Sequence, residues 1–192
     1  MSRYLALALM AFPLLAWSGD ELAKKKEVRV QLYSVVCPAT RGWVRTTNKA
    51  AQTVSCEKRD ARDKSSISLT VTPANTAAMY RTVHTVQWLA DDLRRREKAA
   101  MIALGVNRGL YELENFRQFE AEVAGKQGYA GRYMTRKQDV VSDGYYFLYF
   151  PKDFEKTSIA YQFHYSFARD AEDTREPNLR PFYYLIQTFK LR

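Results

Sequence analysis

The sequence is poor in the residues that serve most enzymes as metal ligands and proton carriers. It contains two histidines and two cysteines among 192 residues. His84 and His164 stand in no His-x-x-x-His or His-Glu-x-x-His spacing, and there is no Gly-x-Ser-x-Gly elbow or phosphate-binding glycine loop. The paired carboxylates Asp91-Asp92 are followed by arginines that would neutralise them. We therefore expect no catalytic residue, no metal site and no cofactor.

Long apolar runs are also missing, apart from one at the start of the sequence. Residues 5–17 carry no charge and follow the basic Arg3, but about 20 apolar residues are needed to span a bilayer as a helix. A basic start, a short apolar core and small residues at Ala16 and Ser18 are typical of a signal peptide. The alternative, a buried first helix, is disfavoured by Pro13 within the run. We expect residues 1–18 to be a signal peptide cleaved near Ser18, and residues 19–192 to be one periplasmic or secreted domain.

Acidic residues are outnumbered by basic ones. The 30 Lys and Arg against 21 Asp and Glu give a net charge of +9, or +8 without Arg3. A basic exported protein suits anionic partners, so we expect an unidentified protein or an anionic envelope ligand as the partner. Nucleic acid is not expected in that compartment. The charge could instead serve solubility alone, and the sequence leaves open both peripheral membrane contact and the choice between monomer and dimer.

The two cysteines, Cys37 and Cys56, both follow the predicted signal peptide. An oxidising compartment favours a disulfide between such a pair, and closing a loop of about 20 residues contributes about 3 kcal/mol in the chain-entropy model. We predict this disulfide. If the first strands form a meander, the bond would join neighbouring strands near their ends.

Hydrophobic periodicity divides the first half of the chain into strands followed by one helix. Apolar residues alternate over 27–36 and 66–72, and shorter strands are predicted over 43–47 and 53–58. Residues 76–104 place apolar side chains at helical spacing and end at a glycine, which predicts a long amphipathic helix.

The second half alternates again. We predict a strand over 111–123 bent near Asn115, a hairpin turn at 125–128, an aromatic strand over 145–150 entered by an Asp143-Gly144 turn, and a strand over 159–168. Residues 182–191 fit a strand or a helix, and Pro181 suits the first turn of a helix. The order predicts an α+β fold with a mostly antiparallel sheet, the long helix and a candidate C-terminal helix packed on it.

This layout resembles the Mog1/PsbP-like fold, and within it the small exported bacterial proteins of the DcrB type. The segments that carry the resemblance are 65–72, 79–104, 125–133, 145–150, 159–167 and the closing Gln187-Thr188-Phe189-Lys190. The family shares no catalytic residues, so the resemblance implies an accessory or binding role and no site residues.

Aromatic residues are abundant, with 13 Tyr and 10 Phe. One interpretation makes them the core of the sheet. The other makes the tyrosines a binding surface, because tyrosine is frequent at interfaces. For that surface the candidate partner-binding residues are Arg132, Tyr133, Arg136, Lys137, Tyr145 and Tyr149.

Two classes of function follow. The first is a non-enzymatic exported envelope protein with an accessory or binding role through an aromatic and basic sheet face, one version being a periplasmic immunity protein that neutralises a delivered toxin. The second is a hydrolase of an envelope polymer whose site the sequence does not reveal. The missing catalytic motifs favour the first.

Overall fold

Two antiparallel sheets and two short helices make up the described part of the chain. The computed structural model describes residues 27–60, 65–75, 95, 112–137 and 139–192, and only the backbone of 112–118 and 137. The strands are β1 (Glu27–Arg29), β2 (Tyr33–Val36), β3 (Trp43–Asn48), β4 (Thr53–Arg59), β5 (Ser66–Asn75), β6 (Glu112–Val123), β7 (Lys126–Lys137), β8 (Val140–Tyr149), β9 (Ile159–Asp170) and β10 (Lys190–Leu191). The helices are α1 (Phe154–Thr157) and α2 (Arg180–Thr188).

The predicted α+β class with a mostly antiparallel sheet is confirmed. The predicted helix over 76–104 lies outside the described residues except for Arg95, so it stays a prediction. Neither of the two helices that the structure describes is long and apolar enough to cross a membrane.

The larger sheet has seven strands in the order β3-β4-β5-β9-β8-β7-β6, and every neighbouring pair is antiparallel. The β6–β7 hairpin turns at Ala124 and Gly125, which both adopt positive φ, as a tight two-residue hairpin requires. The pairing of β6 shifts between Glu114 and Arg117. This irregularity lies where a bend was predicted, near Asn115.

The smaller sheet, β1-β2-β10, corrects the prediction of one strand over 27–36. The chain turns back after β1, and the Val30 amide donates a hydrogen bond to the Tyr33 carbonyl at 2.9 Å. The hairpin satisfies backbone groups locally, which a continuous strand could not do. The segment left open at 182–191 is mainly helical, with Pro181 in the first turn of α2, and the short β10 then pairs with β2.

The core lies on one face of the seven-stranded sheet, here called the core face. Tyr161, Phe163, Tyr165 and Phe167 of β9 are all buried on it. The strand β2 and the helix α2 cover this face, and the Phe189 ring lies 5.1 Å from that of Phe163. For β9, therefore, the aromatic alternation is core. The opposite side of the sheet, here called the second face, carries the alternate side chains of β9, such as His164.

The predicted disulfide between Cys37 and Cys56 is present. Its position differs from the expected one, because Cys37 follows β2 of the small sheet while Cys56 lies within β4 of the large one. The bond therefore links the two sheets across the core instead of joining neighbouring strands. Beside it, the Tyr33 hydroxyl of β2 donates to the Val71 carbonyl of β5 at 2.8 Å.

The predicted turn at Asp143-Gly144 is wrong, because β8 runs without a break through both residues. Asp143 is buried there and forms an ion pair with Arg169 at the end of β9. Gly144 faces the Tyr133 ring so closely that a Cβ atom at this position would lie 2.2 Å from it. The ion pair with Arg169 and the packing of the Tyr133 ring thus stabilise Asp143 and Gly144 within a strand, although both residues favour turns.

Candidate functional site

Two exposed arginines lie on the core face of β7. Arg132 is directly across from Tyr145 of β8, and Arg136 is across from Val141. Residues four apart on a strand share a face at a separation of about 13 Å. The strand register therefore places Arg132, Arg136 and Tyr145 on one face of the sheet, and their role in binding stays a prediction.

Tyr145 is half-buried between this pair of arginines and the core. Its ring packs edge-on against Tyr165, with centroids 5.9 Å apart. Burial raises the pKa of the Tyr145 hydroxyl, the Arg132 cation opposes the rise, and Asp143, Glu176 and Tyr183 add to it. The hydroxyl therefore stays protonated at neutral pH and can both donate and accept a hydrogen bond.

Tyr183 of α2 lies on the helix side, and its hydroxyl interacts electrostatically with that of Tyr145. It is 39 % exposed, and its ring lies 6.1 Å from that of the buried Phe182. We name the set of Arg132, Arg136, Tyr145 and Tyr183 the aromatic–basic patch. It offers two cations and two tyrosine rings from three elements of the core face.

The partly buried ion pair of Arg169 and Asp143 lies at the start of the loop that follows β9. The Arg169 Nε also donates to the Asp173 carbonyl at 2.8 Å, and its guanidinium lies 5.2 Å above the Phe167 ring. Further along, hydrogen bonds from Arg175 lower the pKa of the Asp173 carboxyl to about 2. These contacts tie the first part of the loop between β9 and α2 to the end of β9.

The other predicted binding residues do not join the patch. Tyr133 is buried on the second face, above Gly144. Tyr149 is half-buried at the far end of β8, with its ring 6.1 Å from Phe189. The backbone of Lys137 pairs with Val140, and its side chain lies outside the described part of the structure. Strand alternation alone separates Tyr133 from Arg132.

Sequence reasoning missed Tyr183 and the buried pair of Asp143 and Arg169. Tyr183 would have emerged if residues 180–188 had been read as an amphipathic helix, because it follows the buried Phe182 onto the exposed side. An Asp inside an aromatic run could have indicated a charge partner. The partner stands 26 positions away, so no local pattern identifies it.

Metal chemistry finds no support in the described residues, where no group of three or more His, Cys, Asp and Glu side chains could hold an ion. His164 lies half-buried on the second face, with its ring 6.2 Å from that of Tyr146. His84 lies outside the described residues.

No protein-family model matches the chain. No curated protein sequence matches it either. Among solved structures, the solution structure of PsbP (CyanoP) from the cyanobacterium Synechocystis sp. PCC 6803 is similar, with a TM-score of 0.53 and 17% identity over 94% of this chain and 99% of that one. The chain has a PsbP-like fold. This confirms the PsbP-like part of the predicted resemblance, whereas the DcrB type stays a prediction, and at such low identity the PsbP-like fold carries no residue roles with it.

Proposed function

We propose that the protein is a non-enzymatic, exported envelope protein of the DcrB type that binds an anionic protein or envelope ligand through the aromatic–basic patch. The observation that carries the proposal is the exposed Arg132 directly opposite the half-buried Tyr145 on the core face. Arginine and tyrosine are enriched at interfaces, where charge and flat apolar area act together. The Tyr145 ring packs against the buried Tyr165, which supports one side of this surface.

The inter-sheet disulfide supports the exported location in this proposal, because such bonds persist in oxidising compartments. The patch also suits an immunity protein, one version of the binding role, since such a protein needs a preformed surface and no catalytic residues. The hydrolase alternative gains no observation from the described residues.

The patch is tested by site-specific photo-crosslinking in the producing cell. A crosslinker at Tyr183 should capture a partner from the envelope, whereas one at the exposed Lys156 of α1 should not. The double variant Arg132→Glu/Arg136→Glu should reduce capture at least about tenfold, because it reverses both charges that face the partner. The matched control Lys152→Glu/Lys156→Glu makes the same change in net charge away from the patch.

Vesicles distinguish the kinds of partner. If the protein co-sediments with phosphatidylglycerol vesicles and the patch variant does not, the anionic ligand is a lipid headgroup. If only a protein is captured, its identity separates an accessory role from toxin neutralisation. Capture that is unchanged in the Arg132→Glu/Arg136→Glu variant would place binding elsewhere and refute the proposal.

A further inference from the structure

The seven-stranded sheet ends in two edge strands, β3 and β6, and no described strand pairs with the outer side of either. The six residues of β3 pair with β4 in unbroken register and contain no proline. In β6, the part that follows the register shift, residues 117–123, is equally regular. Such edges present unpaired backbone N–H and C=O groups, which can accept another strand unless a bulge, proline or covering segment prevents it.

The two edges carry the most exposed large apolar side chains of the described chain. Val44 on β3 is 63 % exposed, and Phe119 on β6 is 58 % exposed. Single exposed apolar residues are ordinary on a protein surface. Their position on the outermost strands, one at each end of the sheet, makes each available to a neighbouring strand.

The charges of the two edges are opposite. Arg41, Arg45 and Lys49 are exposed on β3 and beside it, and Glu120 and Glu122 are exposed on β6. Opposite charges across two strands stabilise their pairing, and like charges destabilise it. The basic edge is therefore complementary to the acidic edge and not to itself.

Symmetry decides which side chains would meet. Six antiparallel steps separate β3 from β6, so the two strands run in the same direction. Antiparallel pairing of β3 with β6 of a second copy thus requires the second copy to be turned over. The core face of one copy then lies on the same side of the joined sheet as the second face of the other. Arg45 is on the core face, opposite Cys56, and Glu120 is on the second face, opposite Tyr129.

We infer that the protein associates head to tail, with β3 of one copy adding to β6 of the next as an antiparallel strand. Turning the second copy over brings Arg45 to the same side as Glu120 and Glu122. With Arg45 opposite Glu120, Val44 lies diagonally from Phe119 on the other side, which is within reach of such side chains. Residues 43–48 then pair with 117–122, which all follow the irregular part of β6.

The alternative pairing of β3 with β3 in a closed dimer would bring Arg45 close to its own symmetry mate. Pairing of β6 with β6 would do the same for Glu120. The complementary contact is heterologous, and a heterologous contact that does not close into a ring generates an open chain of copies. Association should therefore continue beyond two copies as the protein concentration rises.

Sedimentation velocity of the full chain over a wide concentration range tests this inference. At about 0.01 M ionic strength the weight-average mass should rise past the dimer, and at about 1 M it should fall, because the Debye length shortens from about 30 Å to about 3 Å. Arg45→Glu and Glu120→Lys should each weaken association about tenfold, since attraction becomes repulsion. The double variant Arg45→Glu/Glu120→Lys should restore it.

Matched charge reversals away from the edges, Arg180→Glu and Glu155→Lys, should leave association unchanged. A chain that stays monomeric at low ionic strength, or stops at a dimer, would overturn the inference. So would association that the single edge reversals do not alter, because it would then run through another part of the chain. If the protein stays monomeric and binds an extended acidic peptide, then β3 binds a peptide and not a second copy. That result would also overturn the inference.

Discussion

Two buried tyrosines in one core differ in whether their hydroxyl groups form hydrogen bonds. Tyr33 and Tyr165 are both fully buried. The single proton of the Tyr33 hydroxyl has two carbonyl acceptors within reach, those of Gln52 and Val71, at 2.7 and 2.8 Å. The Tyr165 hydroxyl, among the described residues, is buried without a hydrogen-bond partner. A buried polar group that loses water and gains no partner opposes folding.

Replacing Tyr165 by Phe should therefore raise the free energy of unfolding by about 1 kcal/mol, since it removes an unpaired hydroxyl and leaves the ring in place. Tyr33→Phe is the matched control and should lower that free energy by about 1–2 kcal/mol. Urea denaturation of both variants measures the difference. A loss of stability in Tyr165→Phe would contradict the prediction and show that the hydroxyl has a partner.

The sequence predicts which side chains share a face of a strand where apolar and polar residues alternate without a break. The pattern of 159–168 placed Phe163 and Tyr165 on one face and His164 on the other, as the structure has them. The burial of Asp143 was not predictable, because it depends on an arginine that only the strand pairing brings near. Burial of a carboxylate without a charge partner is unfavourable, so the sequence alone does not predict that Asp143 is buried.

At the scale of elements, the pairing of β7 with β8 depends on close backbone approach. A Cβ atom at Gly128 would lie 2.2 Å from the Leu148 carbonyl oxygen and 2.9 Å from the Phe147 ring. The carbonyl belongs to the paired backbone, so it cannot move aside as a flexible side chain would. The strand thus requires glycine at this position for reasons of space.

Gly128→Ala should lower the free energy of unfolding by about 1–3 kcal/mol, as overpacking of a core does. Gly125→Ala in the neighbouring turn meets no atom within 4 Å, and its cost comes from the positive φ alone, about 1 kcal/mol. Thermal unfolding of the two variants under the same conditions compares them. Equal or reversed losses would show that β7 and β8 can separate to admit a methyl group.

The sequence predicted most strands of the large sheet but not the limits of the elements. Local turn chemistry suggested a break at Asp143-Gly144, and cross-strand contacts to Arg169 and Tyr133 overrode it. The alternation over 27–36 did not reveal the β1–β2 hairpin, because the same alternating pattern continues when the chain reverses direction after three residues. Of the candidate residues, Arg132 and Tyr145 share one face, whereas Tyr133 lies on the other because neighbours in sequence point to opposite sides of a strand.

At the scale of the whole molecule, the disulfide joins two sheets that share one core. Cys37 and Cys56 are both buried beside the packing of β2 against β4 and β5. Their separation of 19 positions closes a loop that contains all of β3. The bond therefore restricts the unfolded chain while it holds the small sheet over the large one.

The double variant Cys37→Ala/Cys56→Ala should lower the free energy of unfolding by about 3 kcal/mol, the loop-closure contribution for this separation. Guanidinium unfolding of the oxidised protein, the reduced protein and the variant measures the effect. The reduced protein should behave like the variant. An unchanged midpoint in both would show that packing alone fixes the small sheet.

The pairing of β10 with β2 has a consequence for the order of events during synthesis. Lys190 pairs with Ser34, so the small sheet joins the earliest described segment to the latest. A ribosome delivers β2 long before β10 exists, and the core side of β2 must wait uncovered until α2 and β10 arrive. Early strands left in that condition are prone to pair with the wrong partner. Protection of the incomplete chain should therefore affect the yield of correctly folded protein.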